Sequence, residues 1–175
     1  DALQWLEESR DYFDFVVIDF PDPANFALGK LYTSAFYRLL EKRLSAQGLI
    51  VVQSTSPLYA RQSFWCVVTT LESVGFKTAP YHALVPSFGE WGYIIAGRQE
   101  FSISTATEVL ASATTIEATA GPTVDRKKTR FLTAEILPGL FEFPADMARL
   151  PAEVNQLNNQ VLVRYFEAEW RKVIR

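Results

Sequence analysis

Asp19 and Asp22 stand three residues apart just past the apolar run Phe15-Val16-Val17-Ile18, in a loop stiffened by Pro21 and Pro23. Two carboxylates placed this way suit a cationic or amine-bearing ligand. Either one, at hydrogen-bond distance from an amine, can take or orient its proton. A metal fits less well: hard cations want more oxygen ligands than two, and no third carboxylate or histidine follows in the loop. The competing reading is plain structure, since Asp is common in turns and caps and Asp-Pro is itself a turn former. Residue types alone favour the structural reading for Asp19, a turn or cap residue at a strand end.

The elements around the pair favour a site. A solid apolar run reads as a strand buried on both faces, as in parallel sheets, and ligands of open α/β sheets bind beyond the carboxyl ends of strands. Asp19 and Asp22 fall at such an end. The pattern predicts a helix over 1–9, a strand over 14–20 and a helix over 32–44 with Phe36, Leu39, Leu40 and Leu44 as its stripe. Gly48 is expected to turn the chain into a second strand, 49–53. Ser56-Pro57 reads as the N-cap and first turn of a helix reaching Val74, with Phe64, Val67, Val68 and Leu71 buried and Gly75 as terminator. Strands over 76–85 and 92–98 follow, joined by a short loop and so antiparallel. This order is α/β: right-handed crossovers and a mainly parallel sheet with an antiparallel edge strand.

Beyond residue 100 the pattern weakens. Residues 102–123 are rich in Ser, Thr and Ala, with Thr105 and Glu108 at capping-box spacing, and 124–130 read as an exposed loop. A helix over 164–174 is expected to bury Phe166 and Trp170. The organisation expected is 1–100 as the site-bearing body, 101–130 as linker or lid, and 131–175 as a C-terminal helical extension packing on that body.

Composition narrows the function classes. The chain has 175 residues, 49% of them hydrophobic, which suits one globular domain with a core. Net charge is −3, and no basic stripe marks a nucleic-acid surface. Arg126-Lys127-Lys128 beside Asp125 reads as a solvated loop. Cys66 is the single cysteine, so no intrachain disulfide forms and a reducing, cytoplasmic compartment is expected. No apolar stretch approaches the ~20 residues of a membrane-spanning helix. The chain opens at Asp1 on a helical pattern without Met, which reads as a cut inside a larger protein.

Several segments together resemble the spermidine synthase family, the polyamine aminopropyltransferases. They are Asp1-Ala2, Asp19-Phe20-Pro21-Asp22-Pro23, Leu31-Tyr32 with Phe36-Tyr37, Gln53-Ser54-Thr55-Ser56-Pro57, and Pro86-Ser87-Phe88 with Trp91-Gly92-Tyr93. The resemblance covers about residues 1–98. The stretch from Phe143 to Tyr165 resembles the tail of bacterial members, some of which carry a membrane-spanning amino-terminal region.

The resemblance implies a class I methyltransferase-like, Rossmann-like fold, of which this chain supplies the second half of the sheet. The half with the glycine-rich nucleotide loop has no counterpart here, and no Gly-x-Gly occurs. The implied reaction moves an aminopropyl group from decarboxylated S-adenosylmethionine, a co-substrate and not a prosthetic group, to a polyamine such as putrescine. An alkylammonium has pKa ~10, so presenting the neutral amine at pH 7 costs roughly 4–5 kcal/mol. The resemblance gives Asp19 the task of handling that proton, Asp22 and Gln53 the grip on the amine, and Asp1-Ala2 the adenine. Trp91 is either core or a cation–π wall. Phe88 stands where the family usually has Tyr, and Thr55 where many members have an acid, so acceptor choice or activity is expected to differ. His82 and Cys66 read as structural. The alternatives are a methyltransferase on the same fold and a non-catalytic domain that has kept it. The partners expected are polyamine and nucleotide small molecules, and a second copy of the chain through an exposed sheet edge. The chain alone is expected to be inactive.

Overall fold

The computed structural model describes residues 2–104, 115–116, 124–125 and 131–173. Two compact units emerge: Asp1–Glu100 together with Phe143–Arg175, and Phe101–Glu142. The first holds the candidate site, and it takes up the tail from Phe143, later than the boundary at 131 read from sequence. The second contains a short antiparallel hairpin, β5 (Thr115–Ile116) and β6 (Val124–Asp125), and a 3-10 turn at Pro138–Phe141. Val124 and Asp125 are thus strand where a loop was expected. Thr105, Glu108 and Arg126-Lys127-Lys128 lie outside the described residues.

In the first unit, α1 (Ala2–Glu8) leads into β1 (Phe13–Ile18). Then come α2 (Phe26–Gly29), a 3-10 turn (Lys30–Tyr32) and α3 (Ser34–Glu41). β2 (Leu44–Ser54), α4 (Arg61–Ser73), β3 (Lys77–Val85), β4 (Gly89–Gly97) and α5 (Val161–Val173) complete it. The sheet order is β1-β2-β4-β3. β1 and β2 pair in parallel, with Ile18 opposite Val52; β4 runs against both β2 and β3, with Val52 opposite Ile94. Three of the four strands therefore share a direction, and the last two pair antiparallel, β3 outermost.

Side-chain alternation explains where the core sits. Ile18, Ile50, Val52, Ile94 and Ala96 form one buried cluster with Phe36, Tyr37 and Leu40 of α3 and Phe64, Val67, Val68 and Leu71 of α4. Fully burying a side chain of this size is worth about 1.5–3 kcal/mol. The opposite face carries Phe15 and Val17, 58% and 64% exposed. The run in β1 is therefore covered on one face only, because α3 and α4 pack on the same side of the sheet. Gly92 makes that packing possible: a Cβ there would stand 2.5 Å from the Phe64 ring and 2.7 Å from the Thr55 carbonyl.

Local chemistry corrects three boundaries. The helix expected over 32–44 breaks at Thr33, whose hydroxyl donates to the Lys30 carbonyl and accepts from the Phe36 N–H. Leu44 opens β2 rather than closing α3, and Gly48 lies inside that strand, where a Cβ would meet the Phe13 carbonyl at 2.9 Å. Ser56 caps a turn instead of α4, accepting from the Leu58 and Tyr59 N–H groups, and the helix starts at Arg61.

The tail is bound to the first unit by specific polar contacts. The Trp65 indole donates to the Met147 carbonyl, and the Arg61 guanidinium to that of Ala148. The fully buried Asn155 side chain donates to the Gly29 and Tyr32 carbonyls and accepts from the Leu162 N–H. α5 starts at Val161, one turn before the expected 164, and buries Phe166. Among the described residues, no helix is long and apolar enough to cross a membrane.

Candidate active site

β1 ends at Ile18, and the next seven residues form the loop that carries both carboxylates. The loop is held from below by aromatic rings: Phe20 meets Tyr32 and Phe36 edge-on, at centroid distances of 6.1 and 5.6 Å. The Tyr32 hydroxyl stands 3.1 Å from the carbonyl oxygens of both Phe20 and Pro21, one proton shared between two acceptors. At the far end, Asn25 caps α2 by accepting from the Leu28 N–H at 3.0 Å. Asp19 and Asp22 are thus displayed on a backbone fixed at three points.

The two carboxylates line a cavity of about 610 Å³. Gln53 reaches it from the end of β2, Ser87, Phe88 and Trp91 from the β3–β4 hairpin, and Trp170 from α5. The structure therefore brings together Asp19, Asp22, Gln53, Phe88 and Trp91. Trp91 is buried and also lines the cavity. Phe88 is exposed and lies 5.4 Å from the Trp91 ring. Ala2 is not in this group. It lines a separate apolar cavity of about 310 Å³ with Trp5, Phe15 and Phe20, and Phe20 borders both. Asp1 lies outside the described residues.

The electrostatics are one-sided: among the described residues, none that lines the acidic cavity is basic. Burial raises the Asp22 carboxyl above its ordinary value. Burial, reinforced by the negative charges of Asp22 and Asp19, pushes the Tyr32 phenol far up, so it remains a donor to the loop. Tyr93, opposite Gln53 on β4, is raised by burial and then by the charge of Asp19. Asp19 itself is exposed, and no described residue hydrogen-bonds its carboxylate. A cation entering here meets two carboxylates and aromatic faces. Among the described residues, no cluster of three His, Cys, Asp or Glu exists to hold a metal.

Two other residues singled out in the sequence, His82 and Cys66, have structural partners. His82 Nδ1 lies 2.5 Å from a Glu90 carboxylate oxygen, its ring against Phe143. Cys66 is buried in α4, its thiol pushed up to about 12 chiefly by that burial. Thr55 is buried beside the site, and its hydroxyl has no partner among the described residues.

A family profile described as the spermine/spermidine synthase domain matches residues 1–106. The chain belongs to the spermine/spermidine synthase family. Over its whole length it is 49% identical to polyamine aminopropyltransferase 2 of Ralstonia nicotianae, covering 31% of that protein. It is 44% identical to the polyamine aminopropyltransferase of Leptospira interrogans over 99% of the chain, again 31% of the relative. Spermidine synthase from Thermotoga maritima superposes with a TM-score of 0.63 at 20% identity, over 82% of this chain and 45% of that one. A spermidine synthase in complex with the transition-state analogue AdoDATO gives 0.64 at 22%, over 82% and 46%. These two likenesses show the fold, a methyltransferase-like mixed sheet. The chain spans about a third of the length of the curated spermine/spermidine synthase relatives it matches.

Two lining or supporting residues escaped the motif reading. Tyr32 lies inside a quoted motif, yet nothing local says that its hydroxyl reaches back to the loop. Trp170 lies in the tail, and only tertiary packing brings it to the cavity.

Proposed function

We propose that this chain supplies the acceptor-binding and proton-accepting half of a polyamine aminopropyltransferase. The observation that carries the reading is a cavity with Asp19 and Asp22 at the end of β1, no basic residue among its described lining, and Gln53 and aromatic rings around it. Asp22 and Gln53 hold the amine, and Asp19 takes the proton that the attacking nitrogen sheds. The nitrogen lone pair forms a bond to the aminopropyl carbon next to the sulfonium of decarboxylated S-adenosylmethionine. The carbon–sulfur bond breaks with its electron pair going to sulfur, and methylthioadenosine leaves. Fixing the amine in line with that carbon removes much of the entropic barrier.

The co-substrate lies on the Ala2 side of Phe20, with Asp1-Ala2 at its adenine, and the amine lies on the Asp19 side. Phe88 leaves acceptor recognition to carboxylates and ring faces. Cys66 as a free thiol suits the cytoplasm. The open edge of β1, with Phe15 and Val17 exposed, supports self-association.

The experiment is methylthioadenosine release by the full-length protein, offered decarboxylated S-adenosylmethionine and a panel of diamines. Asp19→Asn should lower turnover by about 10²–10⁴-fold, the usual worth of a positioned general base. Full activity in that variant would defeat the assignment. Turnover with ordinary S-adenosylmethionine instead would favour a methyltransferase.

A further inference from the structure

The matched family domain ends at residue 106, yet the cavity holding Asp19 and Asp22 is also lined by Trp170, far along the tail. The helix carrying it is fixed by its neighbour. The Glu169 carboxylate accepts from the N–H groups of Gln62 and Ser63, at 2.6 and 3.0 Å, and from the Ser63 hydroxyl at 2.6 Å. These N–H groups open α4 and have no partner within it. The N-cap residue is Ala60, which has no side-chain oxygen to offer. A carboxylate from α5 thus does the capping, favoured further by the helix dipole. Trp170 follows directly in sequence, so the same contact fixes where its indole sits.

The indole is held by rings rather than by a hydrogen bond. Its neighbours are Tyr59 and Phe166, at centroid distances of 6.3 and 5.8 Å. Its buried Nε1 has no partner among the described residues. The cavity then offers carboxylates from the β1 loop, the Phe88–Trp91 pair from the hairpin, and an indole from the tail. A linear aliphatic diamine matches this set: one nitrogen at the carboxylates, methylenes along the rings, and a far ammonium against an indole face.

We propose that Trp170 is an acceptor-binding residue that reads the far ammonium of a linear diamine and so sets the preferred chain length. The proposal rests on the aminopropyl-transfer reading.

The test uses the full-length protein with 1,3-diaminopropane, putrescine, cadaverine and the monoamine n-butylamine. Trp170→Ala should raise KM for the preferred diamine about tenfold, the loss of a desolvated cation–π contact. It should leave kcat within about threefold and KM for the nucleotide unchanged, the pattern of lost acceptor binding alone. Discrimination between putrescine and butylamine should shrink, and Trp170→Phe should recover part of it. Lys172→Ala, on the exposed side of α5, serves as the control with wild-type kinetics. Where Trp170→Ala fails to fold, Trp170→Phe and Trp170→Leu carry the comparison. Wild-type protein without diamine-dependent methylthioadenosine release would overturn the transfer reading and this inference with it. Active wild type with unchanged diamine KM and chain-length profile in the Trp170 variants would overturn this inference alone. So would an equal rise in KM for both substrates, the mark of a merely structural role.

Discussion

Asn155→Asp changes a single side-chain group in a fully buried residue and should be strongly destabilising. The native amide donates to the Gly29 and Tyr32 carbonyls, both at 3.1 Å, and accepts from the Leu162 N–H at 3.3 Å. A carboxylate keeps the last contact and loses both donations, setting oxygen against oxygen at each carbonyl. Each lost bond is worth about 0.5–1.5 kcal/mol, and each stranded buried group adds to that, so the total is about 3 kcal/mol. In a chain of this size that lowers Tm by about 6–12 °C. The volume is unchanged, so no cavity contributes. The sign of the pH dependence is also fixed. Burial raises the folded-state pKa of the introduced carboxyl, so the folded variant holds its proton more tightly than the unfolded one. The penalty therefore shrinks toward acid and reaches full size once pH rises through that raised value. Urea unfolding followed by tryptophan fluorescence at pH 7 and pH 4.5 measures both effects. A variant within about 0.5 kcal/mol of wild type at pH 7, or one whose deficit does not shrink toward acid, would refute the reasoning.

Two further outcomes follow from the loop. Tyr32→Phe removes the proton shared by the Phe20 and Pro21 carbonyls; stability should fall by about 1 kcal/mol, and kcat should fall more than the affinity for either substrate, read by steady-state kinetics. Burial holds the Asp22 carboxyl above its ordinary value, so its contribution favours the ligand-free fold at acid pH and is lost as pH rises through the folded value. A bound diamine offsets that loss, so the thermal shift given by putrescine should grow from pH 4 to pH 7, and Asp22→Asn should flatten the trend.

The parts legible in the sequence were those whose cause is local. The apolar run of β1 locates Asp19 and Asp22 at a strand end, the stripe Phe64, Val67, Val68 and Leu71 shows the buried side of α4, and the short link between β3 and β4 forces an antiparallel pair. The misread parts depend on neighbours far along the chain. Gly48 looks like a turn residue until the Phe13 carbonyl is seen against it. Ser56-Pro57 looks like a helix start because that pair normally makes one, but here the cap of α4 comes from Glu169. Thr33 interrupts a helical stripe with its own hydroxyl, a competition between side chain and backbone that periodicity does not register. Trp170 carries no signal beyond its place on an amphipathic helix, so its position at the cavity was not readable.

The place of β4 between β2 and β3 has a consequence for how the molecule is made. On the ribosome β2 and β3 both emerge before the strand that joins them, so each keeps an open edge until Gly97 is out. Pairing across such separations slows folding, and unpaired edges invite wrong partners meanwhile. The first turn of α4 waits longer still, because its cap is synthesised near the end of the tail. The acidic cavity is therefore among the last features to be assembled: a nascent chain that has already made Asp19 and Asp22 still lacks the hairpin rings and the indole that enclose them. A fully lined cavity thus requires that residues from the β1 loop through α5 have been made and have packed together.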